Sequence, residues 1–146
     1  MTIPTYVDVA SIPRIQHREA MQIAAVESDK FAAALRSLRA DDWRKPTVCQ
    51  QWDVHAVAAH IVGSAAGQAS PREFVRQVRT GKPLVAEIGG EYWWDGMNEV
   101  QVRDRAASTP EDLIAEWDAV APAALKSRNK LPRPIAKLPL LNLPRR

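Results

Sequence analysis

A chain of 146 residues is about one ordinary domain in length, and 46% hydrophobic against 25% charged residues sits near the globular average, which excludes wholesale disorder and fibrous repeats. A glycine count of 6 argues against a turn-rich β-sandwich or barrel. The net charge of +3 is uneven: residues 119–146 hold seven basic residues and no acid, leaving 13 basic against 17 acidic residues before them.

The opening MTIPTYVDVASIPRIQHRE carries neither the basic nor the apolar segment of a secretory signal, and no run approaches the roughly 18 apolar residues of a membrane span. A cytoplasmic location without membrane contact is expected. Cys49 is the only cysteine, which forbids an internal disulfide and fits a reducing compartment.

Residues 1–13, with prolines at 4 and 13, read as an extended arm. From Arg14 to about Arg39 there is neither Gly nor Pro, and Met21, Ala24, Phe31, Leu35 and Leu38 recur mostly at spacings of three, four and seven, which predicts a long amphipathic helix. ADDWRKPTVCQQ follows as a loop or short irregular turn. A second helix is predicted from Asp53, a carboxylate able to cap it, through VHAVAAHIVGSAAGQA, with Val54, Val57, Ala58 and Ile61 as its buried face. Ser70-Pro71-Arg72-Glu73 is the signature of a helix start and predicts a short helix, PREFVRQVRT, ended by Gly81 and Pro83.

KPLVAEIGG alternates briefly but has no strand to pair with, so it is expected to be loop. EYWWDGMNEVQVRDRAAS predicts a third long helix with Trp93, Met97, Val100 and Asp104 on one face. Thr109-Pro110-Glu111-Asp112 opens another helix, striped by Leu113, Trp117, Val120 and Ala124, which Pro122 should kink or break. Prolines at 132, 134, 139 and 144 then make residues 131–146 an extended, basic tail or linker. The chain thus divides into an arm (1–13), a helical-bundle domain (14–130) and a tail (131–146), an all-α architecture. Without a recognition motif among the tail's cations, a solvated linker explains them better than nucleic-acid binding.

His55 and His60 stand five residues apart, about 140° around a helix axis, so they cannot share one metal. His55 belongs to the exposed first turn, whereas His60 is two turns in and can project between helices, either as a functional group or as a hydrogen-bonded histidine at the core edge. Cys49 reads as a small apolar residue beneath the loop, and Tyr92, Trp93 and Trp94 as core or bundle cap, with a pocket wall as the alternative.

Taken together, D-W-x-x-P-T-x-C-x-x-W-x-V followed by a helix with A-H-I-V-G resembles the N-terminal domain of the mycothiol-dependent maleylpyruvate isomerase family, within the wider DinB-like superfamily. The matching residues are Asp42, Trp43, Pro46, Thr47, Cys49, Trp52, Val54, Ala59, His60 and Gly63, with Asn98, Val102 and the Thr109–Leu113 helix start further on. The resemblance covers about residues 15–125 and implies a four-helix bundle binding a divalent metal, zinc above all, through three side chains. It assigns His60 as one ligand, and a Glu or His followed four residues later by a His as the other two.

On that pattern a thiol such as mycothiol is the cosubstrate and a small electrophile the substrate, in an isomerase or transferase reaction. After His60 this chain has no histidine, so the second part of the ligand set has no matching position. The bundle is therefore expected to be incomplete, with an uncovered apolar face, and to be homo-oligomeric or loosely packed. Two functional readings remain: a metal- and thiol-dependent isomerase or transferase, and a non-catalytic interaction or dimerisation module built on the same fold.

Overall fold

A computed structural model describes residues 11–130; most of the expected arm and the whole expected tail lie outside the described residues. The described residues form six α-helices, α1 (His17–Ser37), α2 (Val54–Ala69), α3 (Pro71–Gly81), α4 (Leu84–Glu87), α5 (Trp93–Arg103) and α6 (Pro110–Lys130), with a 3-10 helix at Ala40–Arg44. No strand occurs among them, so the all-α expectation holds.

Three helix starts follow from local side chains. Asp53 Oδ1 accepts from Ala56 N at 2.8 Å to open α2, and Ser70 Oγ accepts from Glu73 N to open α3. Thr109 and Asp112 cap α6 reciprocally, Asp112 N donating to Thr109 Oγ1 and Thr109 N to Asp112 Oδ2. These contacts lower the Asp112 carboxyl pKa, the Thr109 backbone N–H being the largest cause.

α2 is the central helix and packs against α6, α5 and α3, while α3 and α5 pair with one another and α1 rests chiefly on α6. One core cluster, Leu35, Trp43, Ala58, Ala59 and Leu113, joins the end of α1 to the starts of α2 and α6. A second, Val62, Ala65, Trp117, Ala121 and Ala124, continues along α2 and α6, with Phe31 packed on it. α1 runs antiparallel to α6: His17 hydrogen-bonds Asn129 at one end, and Arg36 grips Asp118 toward the other.

Several expectations are corrected. KPLVAEIGG is not loop throughout, because Leu84–Glu87 closes one helical turn before Gly89 takes φ 66. α6 runs unbroken through Pro122. Both Pro122 and Asp118, four residues earlier, are exposed, so the carbonyl deprived of its N–H partner is on the solvent side, where water can serve it. α5 is shorter than expected, and its inward face is Gly96, Val100 and Gln101; Trp93 is 40% exposed and Asp104 lies at the surface. The buried face of α2 is Ala58, Ala59, Val62, Gly63, Ala65 and Gly67, while Val54, Val57 and Ile61 are only half-buried.

Candidate functional site

The loop before α2 is tied closed by its own polar groups. Cys49 N donates to Thr47 Oγ1, which itself donates to Trp52 O, and Val54 N donates to Lys45 O at 3.1 Å. At its start, Asp42 accepts from Lys45 Nζ at 2.6 Å and from Arg39 N, and the Lys45 contact is the main cause of a carboxyl pKa lowered to about 2. The closed loop leaves Cys49 exposed, correcting the expectation of a packed thiol, and sets the Trp52 ring against the imidazole of His60, centroids 5.1 Å apart.

The two histidines separate as geometry required. His55 is half-buried, not exposed, because its Nε2 lies 2.8 Å from the carbonyl oxygen of Ser108, and its ring meets Trp43 edge-on. That contact bolts α2 to the turn before α6 and consumes His55 as a structural residue. His60 lines a groove of about 350 Å³ between α1 and α2, floored by α6. Phe31, Ile61, Ala65, Trp117, Ala121 and Leu125 give the groove its apolar surface, Ser64 and Gln68 add polar groups, and Glu27 and Arg128 are its charged lining.

Behind His60 lies a polar layer that sequence patterning missed. Gln77 is fully buried and Gln101 is 1% exposed. Gln77 Nε2 donates to Gly63 O at 2.9 Å and to Glu73 Oε1 at 3.0 Å, and Gln101 Nε2 donates to Gln77 Oε1 at 2.9 Å. Arg105, 8% exposed, donates to Gln101 O and to both carboxylate oxygens of Glu116. Gly63 makes this layer possible, since a Cβ there would stand 2.6 Å from Gln101 Cβ and 2.8 Å from Arg105 Nη1. The available signal was the Gly63/Gly67 pair at helical spacing, which marks a face where something approaches closely.

His60 Nδ1 and Gln101 Oε1 are buried and without a hydrogen-bond partner among the described residues. Burial lowers the His60 pKa from its ordinary 6.5, and the nearby Gln101 side chain opposes part of that effect. Below about pH 6.5 the unfolded chain takes up a proton that the folded one resists, so this contribution to stability is full above that value and declines as the pH falls through the lower folded pKa. Urea midpoints measured from about pH 7 to 5 should fall, and His60→Gln should remove part of the fall; equal slopes in the two proteins would place the effect elsewhere.

The profile of the mycothiol maleylpyruvate isomerase N-terminal domain matches residues 24–134. The chain belongs to that family. No curated protein and no solved structure matches it. Within the family's frame, the matched span contains the Trp52 loop, His60, the groove and the glutamine layer. A tightly held zinc ion wants three or four donors converging on one point. Among the described residues no group of three or more His, Cys, Asp or Glu side chains comes together, so these residues alone do not supply the donor set such a metal needs.

The aromatic trio forms one cluster. Tyr92 and Trp94 stack with centroids 4.5 Å apart, and Trp93 meets Trp94 edge-on at 5.6 Å, forming a half-covered cap over the start of α5. Among the described residues, no helix is long and apolar enough to cross a membrane.

Proposed function

We propose that this chain is a cytoplasmic, small-molecule-binding domain of the thiol-dependent isomerase and transferase class, with residues 14–130 as the folded unit and the groove beside His60 as its binding site. The observation that carries the reading is the placement of a half-buried imidazole on the wall of an apolar groove, in a chain of this family. The apolar floor from Phe31 and Trp117 suits the carbon skeleton of a low-molecular-weight thiol or of its electrophilic partner. Arg128 offers a guanidinium to an anionic end. Family membership supports mycothiol as the thiol. A metal would need further ligands beside His60, because no group of three or more candidate ligands comes together among the described residues.

Titration of the chain with mycothiol, followed by amide chemical shifts, is expected to perturb residues of α1, α2 and α6 around Phe31, His60 and Ala121, and a bulky Ser64→Trp at the groove wall should abolish the response. Shifts elsewhere, or none, would overturn the reading. Metal content of the same preparation decides the role of His60: zinc well below one per chain is expected, whereas near-stoichiometric zinc lost on His60→Ala would make His60 a ligand.

The second reading, a helical interaction module that forms homo-oligomers, is favoured by the exposure of Ile23 and Val26 on α1 and by the absence of a helix seated over the groove among the described residues. Sedimentation showing a dimer that Ser64→Trp dissociates, with no mycothiol response, would select it.

A further inference from the structure

Two buried side-chain atoms have no hydrogen-bond partner in the geometry described above, His60 Nδ1 and Gln101 Oε1, and they belong to neighbouring residues. A buried polar atom left unpaired loses its hydration with nothing in return, so two adjacent orphans of complementary capacity call for an explanation.

The orientation of Gln101 is fixed from the far end of the layer. Gln77 Nε2 faces two acceptors, the Gly63 carbonyl and the Glu73 carboxylate, so that end of Gln77 must be its NH₂. Its Oε1 must then receive the Gln101 NH₂ at 2.9 Å, which turns Gln101 Oε1, an obligate acceptor, to the remaining side. A neutral imidazole has one N–H and one lone pair, and only the N–H form of Nδ1 can answer an acceptor.

We propose that Gln101 is a positioning residue for His60: its side-chain carbonyl accepts from His60 Nδ1–H, holding the neutral ring in that tautomer and presenting the Nε2 lone pair to the groove. The carbonyl of Gly63, one turn from His60 on α2, is thereby linked to the ring through two amides from α3 and α5. The Trp52 ring at 5.1 Å restricts rotation of the imidazole from the other side. The groove consequently offers an acceptor at Nε2 and selects ligands that bring a donor to it, a thiol S–H or a hydroxyl among them. The inference stands on the glutamine layer alone, so it survives if mycothiol fails to bind.

Long-range proton–nitrogen correlation spectra of the uniformly ¹⁵N-labelled full chain test it, recorded above the pH range in which histidine protonates, with the His60 signals assigned by their loss in His60→Gln. The expected wild-type pattern is a protonated Nδ1 and a bare Nε2; a protonated Nε2 overturns the proposal without any variant. Gln101→Leu, close in volume, should move His60 toward the Nε2–H form that free histidine prefers. Gln101→Glu, which keeps an acceptor, should retain Nδ1–H. A folded Gln101→Leu protein, judged by its amide spectrum, with an unchanged His60 tautomer would also overturn it.

Discussion

Trp117→Ala is expected to lower the free energy of unfolding by about 4 kcal/mol, the middle of the range for removing a buried aromatic. Trp117 is 9% exposed, sits among Val62, Ala65, Ala121 and Ala124, and meets Phe31 edge-on with centroids 4.6 Å apart. Its neighbours are mostly alanines, which have no longer side chain to swing into the vacated space, so the site cannot collapse. A domain of this size has about 5–15 kcal/mol in total, so the variant should unfold at a markedly lower denaturant concentration. Chemical denaturation followed by circular dichroism checks it. A loss below about 1.5 kcal/mol would mean that α1 settles onto α6 and closes the gap. Since the same ring floors the groove, the folded fraction should also bind groove ligands more weakly, a link between stability and function that Leu113→Ala, away from the groove, would not share.

Gly96→Ala is the second large effect, and its sign sets two forces against each other. Alanine in the middle of a helix is favoured over glycine by about 1 kcal/mol. Here, however, a Cβ would press into the carbonyl oxygen of Gly81 and stand 2.8 Å from its carbon and 2.9 Å from Val85 Cγ2. α3 and α5 cross backbone on backbone, and a backbone cannot change rotamer to yield. Separating the helices also draws Gln101 from Gln77, so the expected net loss is about 3 kcal/mol. Gly89→Ala supplies the contrast: a Cβ there meets nothing, and its φ of 66 alone should cost about 1–2 kcal/mol. Urea midpoints for the two variants that coincide would refute the close crossing as the cause.

What the sequence revealed and what it hid divide along physical lines. Caps at Asp53, Ser70 and Thr109 were legible because each is settled within four residues by a side chain reaching an amide. The α6 stripe was legible because Leu113 and Trp117 are large and their opposite face is charged. α2 misled because it is packed by three helices and lined with alanine and glycine. Periodicity of large residues pointed to Val54, Val57 and Ile61, whereas close helix approach selects the small ones. Pro122 misled because the cost of a missing N–H depends on whether the orphaned carbonyl meets water or protein, which no local pattern records. His60 could be singled out by its depth in the helix and by resemblance. Gln77 and Gln101 could not be, since a glutamine reads as surface until its partner, 24 residues away, is in place.

Ser70 ends α2 and caps α3, its N–H bonded to Ala66 O and its hydroxyl accepting from Glu73 N, so one residue is the whole joint between two helices. Such a joint has no slack. A single residue inserted there would advance α3 by about 100° around its axis and 1.5 Å along it, carrying Gln77 off Gly63 and dissolving the layer behind His60. Lengthening the chain at Gly89-Gly90 would instead fall within a connection of five residues, 88–92, which has room to absorb an extra residue before α5 begins. Tolerance to insertions is therefore set by where the glutamines must land, and the shortest connection in the fold is the one that can least afford a change in length.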